Sequence, residues 1–265
     1  MVNTLPPHKE TSPGDLSLYL EIPLGTGAGA TPKTSIYFPA GYPPNSQLHV
    51  VLYLHGHDAP TPIDRYWKDR RFSLREKVNE SKKWVVLVAP TLGSKSEAGD
   101  LIDQGLDWYF SQVIDGIVQH APEKVANSKN PSIANIYLAC HSGGGEPMRK
   151  LAWMAAAGSP GLAGNIRECW GFDCLYHPVT DPTVKQKPST NFNDTEENWL
   201  RWAQTNGGIK LFIHWLTYGP GIRAQNLARF AKQQNVSNII VQKSGAANHD
   251  AVPAAHLTER INGIG

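Results

Sequence analysis

The chain has 265 residues, enough for one large α/β domain or two small ones and for a substantial buried core. Its 25 lysines and arginines face 23 acids without a basic stripe, so the charge pattern argues against nucleic acid or an anionic membrane as partner. No apolar run approaches the roughly 18 residues that a bilayer span requires. The 24 glycines and 20 prolines fall between apolar runs, as tight loops do. Cys140, Cys169 and Cys174 are too few for a disulfide scaffold, and Cys169 and Cys174 are expected as buried free thiols rather than as a pair. The opening MVNTLPPHKETSPGD lacks a basic patch followed by an apolar core. That favours a cytoplasmic protein, unless a leader has been removed.

In chain order, LSLYLEI (16–22) and TSIYFPA (34–40) suggest an antiparallel start. HVVLYLHG (49–56) is a buried strand, followed by a helix near 64–79 and then the strand WVVLVAP (84–90). Residues 105–120 are helical, with Leu106, Tyr109, Phe110, Val113, Ile114 and Ile117 on one face. SIANIYLAC (132–140) is strand and 146–157 helix, with Pro147 tolerated in the first turn. IRECWGF (166–172) is a shorter strand. Segment 175–208, rich in Pro, Thr and Asn, holds one helix that Asp194 caps, with Glu197 three residues on and Gly207-Gly208 at its end. IKLFIHWLT (209–217) returns to strand, 221–234 to helix, NIIVQK (238–243) to strand, and 253–262 to a last helix. Apolar strands alternating with helices imply a single α/β domain, a mostly parallel sheet of about eight strands covered on both faces. Tyr109, Trp153 and Trp170 are expected in its core.

In such sheets ligands bind at the carboxyl ends of the strands. The stretches at those ends are HGHDAP (55–60), HSGGG (141–145), DCLYH (173–177) and SGAANHD (244–250). In chain order these supply a His-Gly turn, a serine, an aspartate and a histidine. With this order over roughly 34–262, the chain resembles the α/β-hydrolase superfamily of serine esterases. That family carries its nucleophile on a G-x-S-x-G turn between strand and helix, and its triad runs Ser, Asp or Glu, His. Here the turn reads C-H-S-G-G at 140–144, with Cys140 in place of the first glycine.

The resemblance implies Ser142 as nucleophile and His249 as its base, a residue type with a pKa suited to proton transfer near neutrality. The family usually draws its acid from the strand two beyond the nucleophile, but TYGPGIRAQN (217–226) holds no acid. Asp173, one strand earlier, takes the role. Asp250 is its rival, though neighbouring side chains diverge, and Asp181 lies in the irregular segment. The oxyanion donors implied are the backbone N–H groups of Gly143 and His57, with the His57 side chain uninvolved. Segment 175–208 is either a surface excursion or a cap over the site. If it is a cap, Tyr176, Trp199 and Trp202 offer apolar walls to the substrate.

The leading expectation is a serine hydrolase of carboxylic esters, small or polymeric, that works through an acyl-enzyme and needs no cofactor or metal. A peptidase or amidase with the same triad is the nearest variant, and a non-catalytic binding protein on the same fold stands beside it. A metallohydrolase is suggested by HGHD (55–58), but its H-x-H-x-D-H register fails at Ala59 and Pro60.

Overall fold

β-branched and aromatic residues favour extended backbone, and the apolar runs become strands. The structure is a computed structural model that describes residues 16–25, 33–57, 63, 67, 69–156, 161–176 and 194–265. The strands are β1 (Leu16–Glu21), β2 (Lys33–Phe38), β3 (Gln47–Leu54), β4 (Val86–Pro90), β5 (Ser132–His141), β6 (Ile166–Phe172), β7 (Lys210–Trp215) and β8 (Ile239–Lys243). They form one sheet in the order β1-β2-β4-β3-β5-β6-β7-β8. The β1–β2 and β2–β4 pairs are antiparallel and all later pairs parallel. The chain thus adopts the mostly parallel, doubly covered sheet that its sequence implies.

Side chains alternate across a strand, and here both faces are apolar. Val50, Leu52 and Leu54 of β3 and Leu138 of β5 join one core; Val51 and Tyr53, with Ala139 and Trp170, join the other. The first core is covered by α3 (Gly105–His120), α4 (Gly145–Ala156), α5 (Asp194–Thr205) and α6 (Tyr218–Gln233). The second lies under α1 (Leu74–Asn79) and α7 (Val252–Asn262). A short α2 (Asp100–Asp103), which the sequence pattern does not announce, precedes α3. Of the helix expected near 64–79, α1 covers the last turn and a half; residues 64–66 and 68 lie outside the described residues. Cys140, Cys169 and Cys174 are buried free thiols, and Tyr109 and Trp170 are fully buried. Trp153 packs against the first core while keeping part of its surface exposed. Among the described residues no helix is long and apolar enough to cross a membrane.

The helix expected within 175–208 is α5, and it corrects one expectation. Trp199 and Trp202 do not wall a ligand site. Both are buried in the first core, their rings edge to face with centroids 5.2 Å apart. The indole N–H of Trp202 donates to the Ala152 carbonyl of α4 at 2.8 Å. The physical reason is amphipathicity: the apolar face of α5 is used up in docking against the neighbouring helices α4 and α6. Residues 177–193, including His177 and Asp181, lie outside the described residues.

Two buried histidines join β7 to α7. The His214 ring stacks on His256 at 3.9 Å and lies parallel to Phe172 at 5.9 Å. The Ser244 hydroxyl is 2.8 Å from His256 Nε2, while Glu259 and Arg260 are the charged groups nearest the pair. Burial, with the His256 ring adding to it, pushes the His214 pKa down to about 3. Burial lowers that of His256 as well. The folded protein keeps His214 neutral where an unfolded chain, titrating near 6.5, takes up a proton. Stability is therefore full above about pH 6.5 and declines as pH falls toward about 3. The variant His214→Phe keeps a stacked ring and removes that titration. Urea unfolding at pH 7 and pH 5 should show a smaller acid-induced loss for the variant than for wild type; equal losses would exclude His214 as a source.

Candidate active site

β5 runs into α4 with no loop between them. The reversal is made within Ser142–Gly144, and Ser142 has a left-handed backbone at φ 51°. For a residue with a Cβ this costs about 1–3 kcal/mol, so the surroundings must hold it there. Gly144 explains how. The turn is pressed onto the end of β3, and a Cβ at position 144 would overlap the Leu54 carbonyl oxygen, which is backbone and has no room to yield. On the facing loop a Cβ on Gly56 would lie 2.7 Å from Ser142 Cβ. The elbow and the loop after β3 therefore touch backbone to backbone. Ser142 also stands at the start of α4, where the helix dipole favours negative charge. Cys140, at the family's first glycine position, is fully buried.

Asp173 also has a left-handed backbone, at φ 48° directly after β6. Its N–H donates to the His214 carbonyl at 2.7 Å, which leans the residue over the end of β7. There Oδ1 accepts the backbone N–H groups of Leu216 and Thr217 at 2.8 and 3.1 Å. Oδ2 lies 2.7 Å from His249 Nδ1. The carboxyl is fully buried. Burial alone would raise its pKa, but the bonds from His249, Leu216 and Thr217 outweigh burial and hold it below the usual carboxylate range. An ionised carboxylate only accepts, so the contact places a proton on Nδ1 of His249, which in the neutral ring leaves the lone pair on Nε2. Asp173 follows β6 in the chain, yet its carboxyl sits at the end of β7.

His249 opens the turn His249–Ala251 that leads into α7. The Asn248 side chain accepts the Ala251 N–H at 3.0 Å. Asp250, the rival acid, turns away to pair with Arg71 at 2.9 Å. His141 precedes the elbow serine and lies over the His249 ring, with centroids 4.3 Å apart. Its Nε2–H donates to the His249 carbonyl at 3.1 Å. Burial, reinforced by the His249 ring, pushes the His141 pKa down to about 3, so it acts as a neutral clamp. Tyr176 meets His249 edge on, with ring centroids 6.0 Å apart, and its hydroxyl is hydrogen-bonded to Thr217 at 3.3 Å, on the side facing Ser142. Ser142, Asp173, His249 and Tyr176 are thus brought together; Trp199 and Trp202 are not.

The loop after β3 is held by His55. The Leu92 N–H donates to its Nε2 at 2.8 Å, so its Nδ1–H donates to the Gly56 carbonyl at 2.7 Å. Beyond Gly56, His57 is exposed and its ring lies against Gly143. Sequence pattern alone gives Ser96 no role, since it is one polar residue in a loop, and reads His141 as packing or hydrogen-bonding locally beside Ser142.

One cluster has the composition of a metal site. Ligand atoms of His141, His249 and Asp250 lie within 4.8 Å of one another. Zinc needs nitrogen lone pairs that converge about 2.0–2.1 Å away. The two rings overlap at 4.3 Å with only 37° between their planes, which directs their lone pairs side by side rather than at one point. That arrangement does not suit a zinc ion. Residues 58–60 of the HGHDAP stretch lie outside the described residues.

No protein-family model matches the sequence, and no curated protein matches it. Solved structures do resemble its fold. An S-formylglutathione hydrolase from Agrobacterium tumefaciens superposes with a TM-score of 0.55 at 12% identity, over 98% of this chain and 100% of that one. The S-formylglutathione hydrolase FrmB of Staphylococcus aureus gives 0.55 at 15% identity, over 93% and 94%. The fluorophosphonate-binding serine hydrolase FphF of Staphylococcus aureus gives 0.53 at 13%, over 93% and 96%. The shared architecture is the α/β-hydrolase fold.

The elbow geometry makes a direct prediction. Gly144→Ala must either push the turn off β3 or strain it further, and overpacking of this kind costs about 1–3 kcal/mol. Thermal unfolding should fall by several degrees. An unchanged melting temperature would mean that the turn is not pressed against β3.

Proposed function

We propose that this chain, built on the α/β-hydrolase fold, is a serine hydrolase that cleaves carboxylic esters through an acyl-enzyme on Ser142. The observation that carries the proposal is the 2.7 Å contact between His249 Nδ1 and the buried Asp173 carboxylate, beside a serine on a left-handed strand-to-helix turn. A carboxylate held ionised in the core has one evident chemical use here, which is to fix the imidazole tautomer and stabilise the imidazolium that forms when a proton arrives.

The reaction follows from that tautomer. Ser142 Oγ attacks the ester carbonyl carbon while His249 Nε2 takes the hydroxyl proton. The carbonyl π electrons move to its oxygen, which is met by the backbone N–H groups of Gly143 and His57. As the intermediate collapses, the C–O bond to the alcohol breaks and His249 returns the proton to the leaving oxygen. Water then repeats the attack on the acyl-enzyme with His249 again as base. As that second intermediate collapses, the bond to Ser142 Oγ breaks, His249 returns the proton to Oγ, and the carboxylic acid product leaves with no cofactor consumed. Tyr176, half exposed and edge on to His249, would border the bound acyl or alcohol group. The names of the structural neighbours, S-formylglutathione hydrolases among them, agree with acyl-transfer chemistry.

Intact mass after exposure to a fluorophosphonate tests the nucleophile. Wild type should gain one adduct and Ser142→Ala none; a folded wild type that gains none would instead favour a binding protein on this fold. The variant Asp173→Asn tests the acid. It keeps an acceptor for the Leu216 and Thr217 N–H groups but favours the wrong histidine tautomer. We expect kcat on an activated ester to drop by about three to four orders of magnitude with little change in melting temperature. A kcat within tenfold of wild type would remove Asp173 from the mechanism.

A further inference from the structure

Two side chains meet beside Gly143, and neither has a role in the mechanism above. His57 arrives on the loop after β3. Its ring lies so close to Gly143 that any Cβ at position 143 would overlap its Cδ2 and Nε2 atoms. Ser96 arrives on the loop after β4, with its Oγ 2.8 Å from the same Cβ position. Position 143 is glycine because these two groups occupy the space that a side chain would take.

The two groups are held there by different devices. His55 ties the loop after β3 to Leu92. From Leu92 the chain turns back on itself, the Gly93 N–H donating to the Glu97 carbonyl and the Ser96 N–H to the Gly93 carbonyl, both at 2.8 Å. Ser96 pays for its place with a left-handed backbone at φ 60°. It is 2% exposed, and its hydroxyl has no hydrogen-bond partner among the described residues. A buried hydroxyl without a partner is destabilising, and a group that binds there and accepts its hydrogen bond removes that cost. Here the neighbour is the residue whose N–H would meet the acyl oxygen, and an exposed imidazole stands next to it.

We propose that the His57 imidazole and the Ser96 hydroxyl are side-chain donors to the acyl oxygen of the substrate, adding to the backbone N–H groups at Gly143 and His57. This rests on the reading of Ser142 as nucleophile. His57 acts through its ring as well as its backbone, and Ser96 gains its missing partner when the oxygen binds. Charge on that oxygen grows in the tetrahedral intermediate, so the two donors favour the transition state over the bound ester and act on kcat more than on KM.

The test compares wild type with His57→Phe, His57→Gln and Ser96→Ala. It follows kcat and KM on p-nitrophenyl acetate and the rate of covalent labelling by a fluorophosphonate, whose phosphoryl oxygen takes the same position. Phenylalanine fills the space of the ring but carries no N–H. We expect His57→Phe and Ser96→Ala to lose about 10- to 100-fold in kcat and in labelling rate, with KM within about threefold. His57→Gln restores an N–H and should recover most of the rate. Melting temperatures identify any variant that fails to fold, and Ser96→Ala is the mildest change of the three. Wild-type rates in folded His57→Phe and Ser96→Ala overturn the proposal while leaving Ser142 as nucleophile. A wild type that neither turns over ester nor accepts the probe overturns this proposal together with the reading beneath it.

Discussion

The buried Asp173 carboxylate is the constraint around which the site end of the sheet is organised. A charge removed from water costs several kcal/mol unless it is compensated. Here the compensation is two backbone N–H groups at the end of β7 and one imidazole N–H from the turn before α7. Hydrogen bonds to a charged group contribute about 1.5–3 kcal/mol each, so three of them suffice to keep the group ionised in the core. The same three bonds join the ends of β6 and β7 to the start of α7. Loss of all three bonds would weaken the fold and the site together.

Two further histidines carry the organisation outward without using their basicity. His141 clamps the carbonyl of His249, and His55 bridges the loops after β3 and β4. A ring nitrogen that donates and another that accepts let a single neutral side chain satisfy two loop groups, which a lysine or an aspartate would not do. Burial keeps His141 neutral, so it adds no positive charge beside His249. Among the described histidines of this turn, His249 has both a carboxylate partner and an exposed edge.

The elbow itself rests on close backbone approach. Gly56 and Gly144 admit the loop after β3 and the turn to one another, and Gly143 admits two polar side chains. A run of three glycines in the sequence reads as one flexible stretch. In the fold, positions 143 and 144 are crowded from different directions, the first by His57 and Ser96 and the second by β3. Crowding of this kind comes from elements about 45 to 90 residues earlier in the chain, and no local pattern carries it.

The sequence by itself determined the strands, because β-branched and aromatic runs bounded by Gly, Pro and Asn impose extended backbone locally. It also determined that Ser142, Asp173 and His249 follow strands, and in a parallel sheet that brings them to one edge whatever the remaining packing. Tertiary structure decided which acid meets the histidine. Asp173 and Asp250 are both near enough in principle, and the choice turned on the lean of Asp173 over β7 and on Arg71 taking Asp250. It decided that the tryptophans of α5 belong to the core, since an apolar helix face looks the same in sequence whether it meets a ligand or a neighbouring helix. It also decided where the His57 ring and the Ser96 hydroxyl stand, for each is set by contacts between loops far apart in the chain. Periodicity and strand-end position are local properties and can be read along the chain; the partner of a buried polar group is a long-range property and exists only once the elements have packed.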